Sequence, residues 1–441
     1  MSQIVIFGKY VLTSFEEGLK EDWGICVEGN LIRRVASNED LKRLYPRADI
    51  IDATDKIIAP GFVNGHMHMY GILSHGITVD AAPTEFTSFL EDFWWPYVED
   101  QLDHELIRAS TKMACVEMIK SGITTFYDCL EGPNSIPGAL RVAAEAVEEA
   151  GMRGILSFEA CQRVSESNGE LGLQENLEFI EWAKNNCRLV SGIMCIHTTF
   201  TCSMDFIKKA KQLAQQAGSR IHMHLSESVY EPEYCMGRYG KRPVEIYSDL
   251  DYLDENVIAS QCVQLDSDEV IILARSGAKA VHMPLSNCEV GGGVAPVPDM
   301  LARGMVIGLG TDGYINNFFE VMRGAFLIHK AYRQNPQVMP ASVVYQMATS
   351  MGAAALGFEK LGEIREGYLA DIITLKADFP TPLNRENVYD QLVLFKSAGD
   401  VKDVMIDGKW VMRNRHLLTI NEKQATNECQ EAAKKMWNLK S

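Results

Sequence analysis

The sequence predicts an α/β fold: a (β/α)8 TIM-like barrel joined to a small β-sandwich domain built from both chain ends. Three observations carry that prediction. In the middle of the chain, short apolar runs rich in Val, Ile and Phe alternate with helical stretches. Eight such strand candidates occur in succession. At each end the texture changes to alternating apolar and polar residues broken by turn signals. A chain of 441 residues suits one large domain with a smaller companion.

Taken in order, IVIFGKYVLT, WGICVEGNLIRRVA and ADIIDATDKIIAPG read as short antiparallel strands with tight turns. They assign residues 1–58 to the small domain. The barrel, residues 59–363, follows with GFVNGHMH (61–68), GITTFYD (122–128), RGILSFEA (153–160), VSGIMCIHT (190–198), RIHMHLSE (220–227), VIASQCVQ (257–264), KAVHMPL (279–285) and VIGLGTDG (306–313). Helical stretches such as HELIRASTKMACVEMIKSG and MDFIKKAKQLAQQAG lie between them. Strand then helix, repeated, implies parallel strands with crossover helices. Eight units over about 300 residues match a closed barrel better than a doubly wound open sheet. GYLADIITLKA and DVKDVMIDGKWVMRN then restore the alternating pattern. Residues 364–441 are therefore expected to complete the small domain and end in a helix.

Composition excludes several function classes. The formal charge of −17 argues against nucleic acid, whose phosphates call for a basic patch. It suits a small neutral or cationic partner better. No run approaches the roughly 18 apolar residues of a membrane span. The N-terminus lacks a basic stretch followed by an apolar one, so a cytoplasmic location is expected. Eleven scattered cysteines without a CxxC pair read as reduced thiols.

Four of the ten histidines fall in two copies of HMH. Residues two apart on a strand share a face, so His66 and His68 can point together into the barrel mouth. An isolated HxH is more often a pair of satisfied polar residues, but Asp312 at the end of the eighth strand strengthens the metal reading. The first and eighth strands of a closed barrel are neighbours. In the second HMH, His224 lies nearer the strand end, with Glu227 three residues on. A ligand beside a carboxylate is what metal-assisted hydrolysis needs. His222, one layer deeper, reads as a core histidine.

PGFVNGHMH, IHMHLSE and GLGTDG together resemble the amidohydrolase superfamily, specifically its cytosine deaminase-like and triazine hydrolase-like aminohydrolases. SGITTFYD, CIHTTFTCS, VHMPLSNCEVGGGVAPVPDM and LGEIREGYLADI extend the resemblance over nearly the whole chain. It implies one divalent metal per subunit, Zn²⁺ first and Fe²⁺ or Mn²⁺ as alternatives, held by His66, His68, His224 and Asp312. It also implies hydrolytic deamination of a nitrogen heterocycle of purine, pterin, pyrimidine or triazine type. The metal would acidify water, Glu227 would carry the proton to the ring, and Asp312 would accept the second proton. Displacement of halide or alkylamine from such a ring is the alternative within hydrolases, and a non-catalytic binding homologue the alternative outside them. His197 and, more loosely, Glu99 match positions that face substrate, His282 lies near the pocket as either a substrate contact or a structural residue, and Trp95 belongs to an aromatic loop that lines either the pocket or a subunit interface. A homodimer or homotetramer is the implied assembly.

Two departures stand out. Gln261 occupies the place of a family histidine at the end of the sixth strand, and glutamine cannot carry a charge. Gln264 likewise stands where many relatives have a second histidine. Phe158 and Gly172 stand where S-adenosylhomocysteine deaminases carry arginines for the substrate carboxylate, with Arg163 the nearest substitute. That weakens the case for an amino-acid-bearing nucleoside.

Overall fold

The computed structural model describes residues 3–81 and 83–438. Five strands open the chain: β1 (Gln3–Leu12), β2 (Leu19–Glu21), β3 (Trp23–Glu28), β4 (Leu31–Ser37) and β5 (Asp49–Pro60). The barrel strands follow: β6 (Phe62–Met67), β7 (Ile123–Leu130), β8 (Arg153–Phe158), β9 (Val190–Gly192), β10 (Met194–Cys195), β11 (Ile221–Leu225), β12 (Val257–Gln261), β13 (Lys279–His282) and β14 (Ile307–Leu309). Four strands close the chain: β15 (Ile372–Lys376), β16 (Val401–Ile406), β17 (Lys409–Arg413) and β18 (His416–Leu417), before the helix Glu422–Met436.

β9 and β10 are the two halves of the predicted fourth barrel strand, interrupted at Ile193. The strand order β10-β11-β12-β13-β14-β6-β7-β8-β9 therefore returns to its starting point and closes an eight-stranded barrel. Neighbouring strands pair in parallel, for example β6 with β7 and β11 with β12. Helices cross over between them because the local sequence stops and starts them cleanly. The helix His104–Ser121 begins where Asp103 accepts the Leu106 N–H. It ends at Gly122, whose φ of 89° turns the chain directly into β7.

The small domain is one sheet in the order β18-β17-β16-β15-β5-β1-β3-β4, with β2 paired to β1. The seam between the chain ends is the antiparallel pair β5–β15, where Pro60 faces Ile372 and Lys56 faces Lys376. One detail departs from the all-antiparallel reading: β1 and β5 run parallel. The helix Asn38–Leu44 supplies the crossover that a parallel return requires. The sandwich character comes from the sheet folding on itself. Ile6, Val27, Ile58, Ile372 and Met405 meet in one buried cluster, and the edge strand β4 reaches Tyr368, just ahead of β15, through the Ile32 N–H.

Buried ion pairs fix this assembly. Asp403 on β16 is fully buried and accepts from Lys56 Nζ (2.9 Å), Thr374 Oγ1 (2.5 Å) and Arg413 Nε (3.0 Å). Arg153 on β8 makes a two-pronged contact with Asp371, at 2.9 and 3.0 Å, which ties the barrel to the sheet. Removing one partner of a buried pair strands the other, at a cost of about 3–5 kcal/mol. Asp403→Ala is accordingly expected to lower the free energy of unfolding by about that amount in a denaturant titration. A loss below about 1 kcal/mol, the scale of an exposed ion pair, would contradict this reading.

Candidate metal centre and active site

The barrel strands deliver their polar termini to one mouth. His66 and His68 project from the end of β6, and Asp312 lies just beyond β14. The Thr311 and Asp312 N–H groups both donate to the His66 carbonyl, at 3.0 and 3.1 Å, so the first and eighth strands hold the three side chains side by side. His224, on β11, enters from the opposite arc. Ligand atoms of His66, His68, His224 and Asp312 all lie within 4.8 Å of one another, and all four residues are buried.

The chemistry of this group fits a divalent cation. Neither ring nitrogen of His66 has a hydrogen-bond partner although the ring is fully buried, an arrangement that otherwise leaves polar atoms unsatisfied. Burial holds His66 down to about 4, in the neutral form that ligates metals. His68 Nδ1 contacts the Cys129 carbonyl at 2.5 Å, which leaves its Nε2 facing Asp312 Oδ1 at 3.2 Å. Burial works against ionisation of Asp312, but His66 and His68 overcome it and keep the carboxylate well below its usual range. Its other oxygen, Oδ2, accepts from Ser286 Oγ (2.6 Å) and from Gln261 Nε2 (2.9 Å). Gln261 thus reaches the centre through Asp312, and its own Oε1 has no partner.

Backbone geometry aims these groups. Ser226, Gln261 and Asp312 adopt φ values of 49°, 70° and 59° at the ends of three barrel strands. Left-handed conformations are uncommon in residues other than glycine and gather at functional sites. Here they turn Glu227, Gln261 and Asp312 inward, where straight strands would continue past the mouth.

One cavity of about 450 Å³ unites most of the residues singled out in the sequence. His68, His224, Asp312, Glu227, His197, Glu99 and Trp95 all line it. Burial raises Glu227 to about 8, with nearby Asp312 adding to the shift. Burial pushes His197 down to about 3, and its Nδ1 lies 3.0 Å from Thr201 Oγ1. Glu99 accepts from the Tyr70 hydroxyl at 2.9 Å and from Arg163 at 3.1 Å. From the aromatic loop, Phe86, Phe89, Phe93, Trp94 and Trp95 line the cavity, whereas Tyr97 is exposed. His282 stands apart. Strand β13 ends at its ring, which is buried outside the cavity lining with Nε2 3.0 Å from His329 Nε2. Of the two readings the sequence leaves open, this position favours the structural one. His222 is fully buried and stacked on His66 at 5.0 Å, as a core histidine would be.

Three contributors carried no assigned role in the sequence. Ser286 sits in PLSNCE, where nothing local marks its bond to Asp312. Glu131 follows β7 directly and pairs with Arg163. Glu159 directly follows β8, and its Oε1 lies 3.0 Å from His224 Nδ1 and 3.6 Å from His197 Nε2, ion-pair contacts that fall short of hydrogen-bond geometry. The polar residue at the end of β8 was the available signal, but its partner is 65 positions further on.

An eight-stranded barrel carrying a His/Asp group and a half-buried glutamate at its mouth defines a metal-dependent hydrolase. The chain belongs to the amidohydrolase family, whose profile matches residues 57–411. It is 34% identical over 427 residues to a 5′-deoxyadenosine deaminase of Methanocaldococcus jannaschii, covering 95% of this chain and 97% of that one. It is 33% identical to a 5-methylthioadenosine/S-adenosylhomocysteine deaminase of Carboxydothermus hydrogenoformans, covering 93% of each. Among solved structures, a zinc-bound adenosine deaminase from Xanthomonas campestris has a TM-score of 0.89 at 22% identity, over 99% of both chains. A zinc-complexed atrazine chlorohydrolase of Arthrobacter aurescens has a TM-score of 0.86 at 20% identity, over 98% of this chain and 100% of that one. At such identities the structural likeness speaks for the fold. Among the described residues, no helix is long and apolar enough to cross a membrane, and all eleven cysteines are free thiols.

Carboxylates behind a metal-binding imidazole typically contribute 10–100-fold to metal affinity. Glu159→Gln is therefore expected to weaken Zn²⁺ binding by roughly that factor in a chelator competition, through His224. An unchanged affinity would assign Glu159 to another task.

Proposed function

We propose that this chain hydrolytically deaminates the adenine ring of a 5′-modified adenosine, using a divalent metal held by His66, His68, His224 and Asp312. The observation that carries the chemistry is Glu227, half-buried in the cavity that His68, His224 and Asp312 line and pushed up to about 8, in range to accept and return a proton near neutrality. The ring is narrowed by the relatives, whose names specify 5′-deoxyadenosine and 5-methylthioadenosine.

A divalent ion there, Zn²⁺ before Fe²⁺ or Mn²⁺ for this mixed imidazole and carboxylate set, would acidify water enough to supply a nucleophile at neutral pH. Glu227 takes the proton released and delivers it to the ring nitrogen beside the amino-bearing carbon, which makes that carbon electrophilic. Asp312, held through Oδ2 by Gln261 and Ser286, takes the second proton from the added hydroxyl and passes it to the amino group, which leaves as ammonia. In this reading Gln261 acts as a positioning residue, which needs a donor and no charge. That accounts for a glutamine where relatives have a histidine. His197, neutral and fixed through Thr201, offers a hydrogen bond to the ring. Trp95 and Phe89 supply apolar walls for a flat heterocycle.

The test is ammonia release from 5′-deoxyadenosine and 5′-methylthioadenosine by metal-replete protein. Glu227→Gln should slow turnover by about 10²–10⁴-fold, the usual worth of a general acid–base, while bound metal stays the same. Equal rates in the two proteins would remove Glu227 from the mechanism. Absence of turnover with either nucleoside would remove adenosine as the substrate.

A further inference from the structure

The cavity has a charge imbalance that the deamination chemistry does not use. Six carboxyl groups line it, from Glu99, Glu131, Glu159, Glu227, Glu289 and Asp312, and among the described residues no lysine or arginine does. Asp312 and Glu227 belong to the reacting centre. Glu99, Glu131 and Glu159 form a second group, each at least 97% buried. The cation nearest to them is already committed. Arg163 contacts Glu99 Oε2 (3.1 Å), Asp100 Oδ1 (2.9 Å) and Glu131, with its guanidinium 4.9 Å from the Trp95 ring centre. One positive charge therefore serves three carboxylates.

The histidines offset only part of this charge. Glu159 Oε1 faces His224 Nδ1 at 3.0 Å and His197 Nε2 at 3.6 Å, which leaves Glu99 and Glu131 sharing Arg163. Burial, and then Glu131, pushes Glu99 well above the usual carboxylate range even with Arg163 beside it. Glu99 and Glu131 are thus short of positive charge. A ligand bearing an ammonium group supplies it. A ligand ending in a carboxylate meets like charges in a confined, poorly solvated space, where such juxtaposition costs several kcal/mol.

We propose that this cavity ranks 5′-modified adenosines by the charge of the 5′ substituent, ammonium above neutral above carboxylate, with Glu99 and Glu131 as the specificity-determining wall. The inference depends on the adenosine reading above. It separates this chain from a carboxylate-binding deaminase on a feature of its own: where an arginine pair would meet a substrate carboxylate, its own arginine is spent on acidic side chains.

The decisive comparison uses substrates of similar size that differ in charge: 5′-amino-5′-deoxyadenosine, adenosine-5′-carboxamide and adenosine-5′-carboxylate. Each is assayed at pH 7.5 with metal-replete protein by the absorbance change of ring deamination. We expect kcat/KM for the carboxylate to fall at least about 100-fold below the carboxamide, and the amine to exceed the carboxamide about 10-fold, mainly through KM. Glu131→Gln should narrow the span between amine and carboxylate about 10-fold, and the wild-type ranking decides the matter if that variant does not fold. A carboxylate turned over as well as the carboxamide overturns the charge ranking and leaves the adenosine reading standing. No turnover of any of the three overturns both.

Discussion

Asp312 is buried at the end of the eighth barrel strand, where a carboxylate without partners would be costly, and the site is organised around supplying those partners. His66 and His68 face one oxygen, and Ser286 and Gln261 donate to the other. These four residues come from β6, the segment after β13, and β12, so a single carboxylate draws together three non-adjacent stretches of chain. The left-handed backbone at Asp312 and Gln261 is tolerable because these contacts over-determine it. Barrel closure matters for the same reason. Only when β14 lies against β6 does the His66 carbonyl receive the Thr311 and Asp312 amides, and only then do the imidazoles meet the carboxylate.

The charge pattern of the cavity follows a similar logic at a larger scale. Near the metal group, negative side chains are matched by histidines. Away from it, Arg163 is outnumbered, and the imbalance is left facing the space a substrate would fill. Binding of a cationic group relieves a deficit that folding alone does not relieve. Aromatic side chains complete the enclosure, with Phe89 and Trp94 stacked at 5.7 Å on the loop that follows the first barrel strand.

Much of this was legible in the sequence, for a physical reason. Barrel strands are short and continuous, and their ends converge, so a polar residue closing an apolar run already states its destination. His66, His68, His224, Glu227 and Asp312 were readable on that ground. The two-residue repeat of HMH further fixed which histidines share a face. What escaped was anything decided by contact across the barrel. Glu159 was visible as a strand end, but its approach to His224 depends on the placement of β8 and β11 around the ring. His282 met the same criterion as His224, yet its ring pairs with His329 on the helix Phe318–Arg333, a contact between distant segments. The parallel run of β1 beside β5 was hidden because alternation reports which face is buried and carries no record of strand direction. The break at Ile193 was equally silent, since the run VSGIMCIHT carries no proline or charged residue to mark it.

The seam between β5 and β15 has a consequence for how this chain comes into being. During vectorial synthesis the first five strands emerge more than 300 residues before the strands that complete their sheet. Until then β5 presents a bare edge, and Lys56, which ends up buried against Asp403, has no counter-ion. An edge left open so long is a template for pairing with other chains. The barrel, assembled from consecutive units, has no such wait. Order of completion is thus written into topology: barrel units first, the joint sheet last, with the C-terminal strands acting as the closing step. Loss of even the final fifty residues would cost β16 to β18, leaving β15 as a bare edge and Lys56 without Asp403.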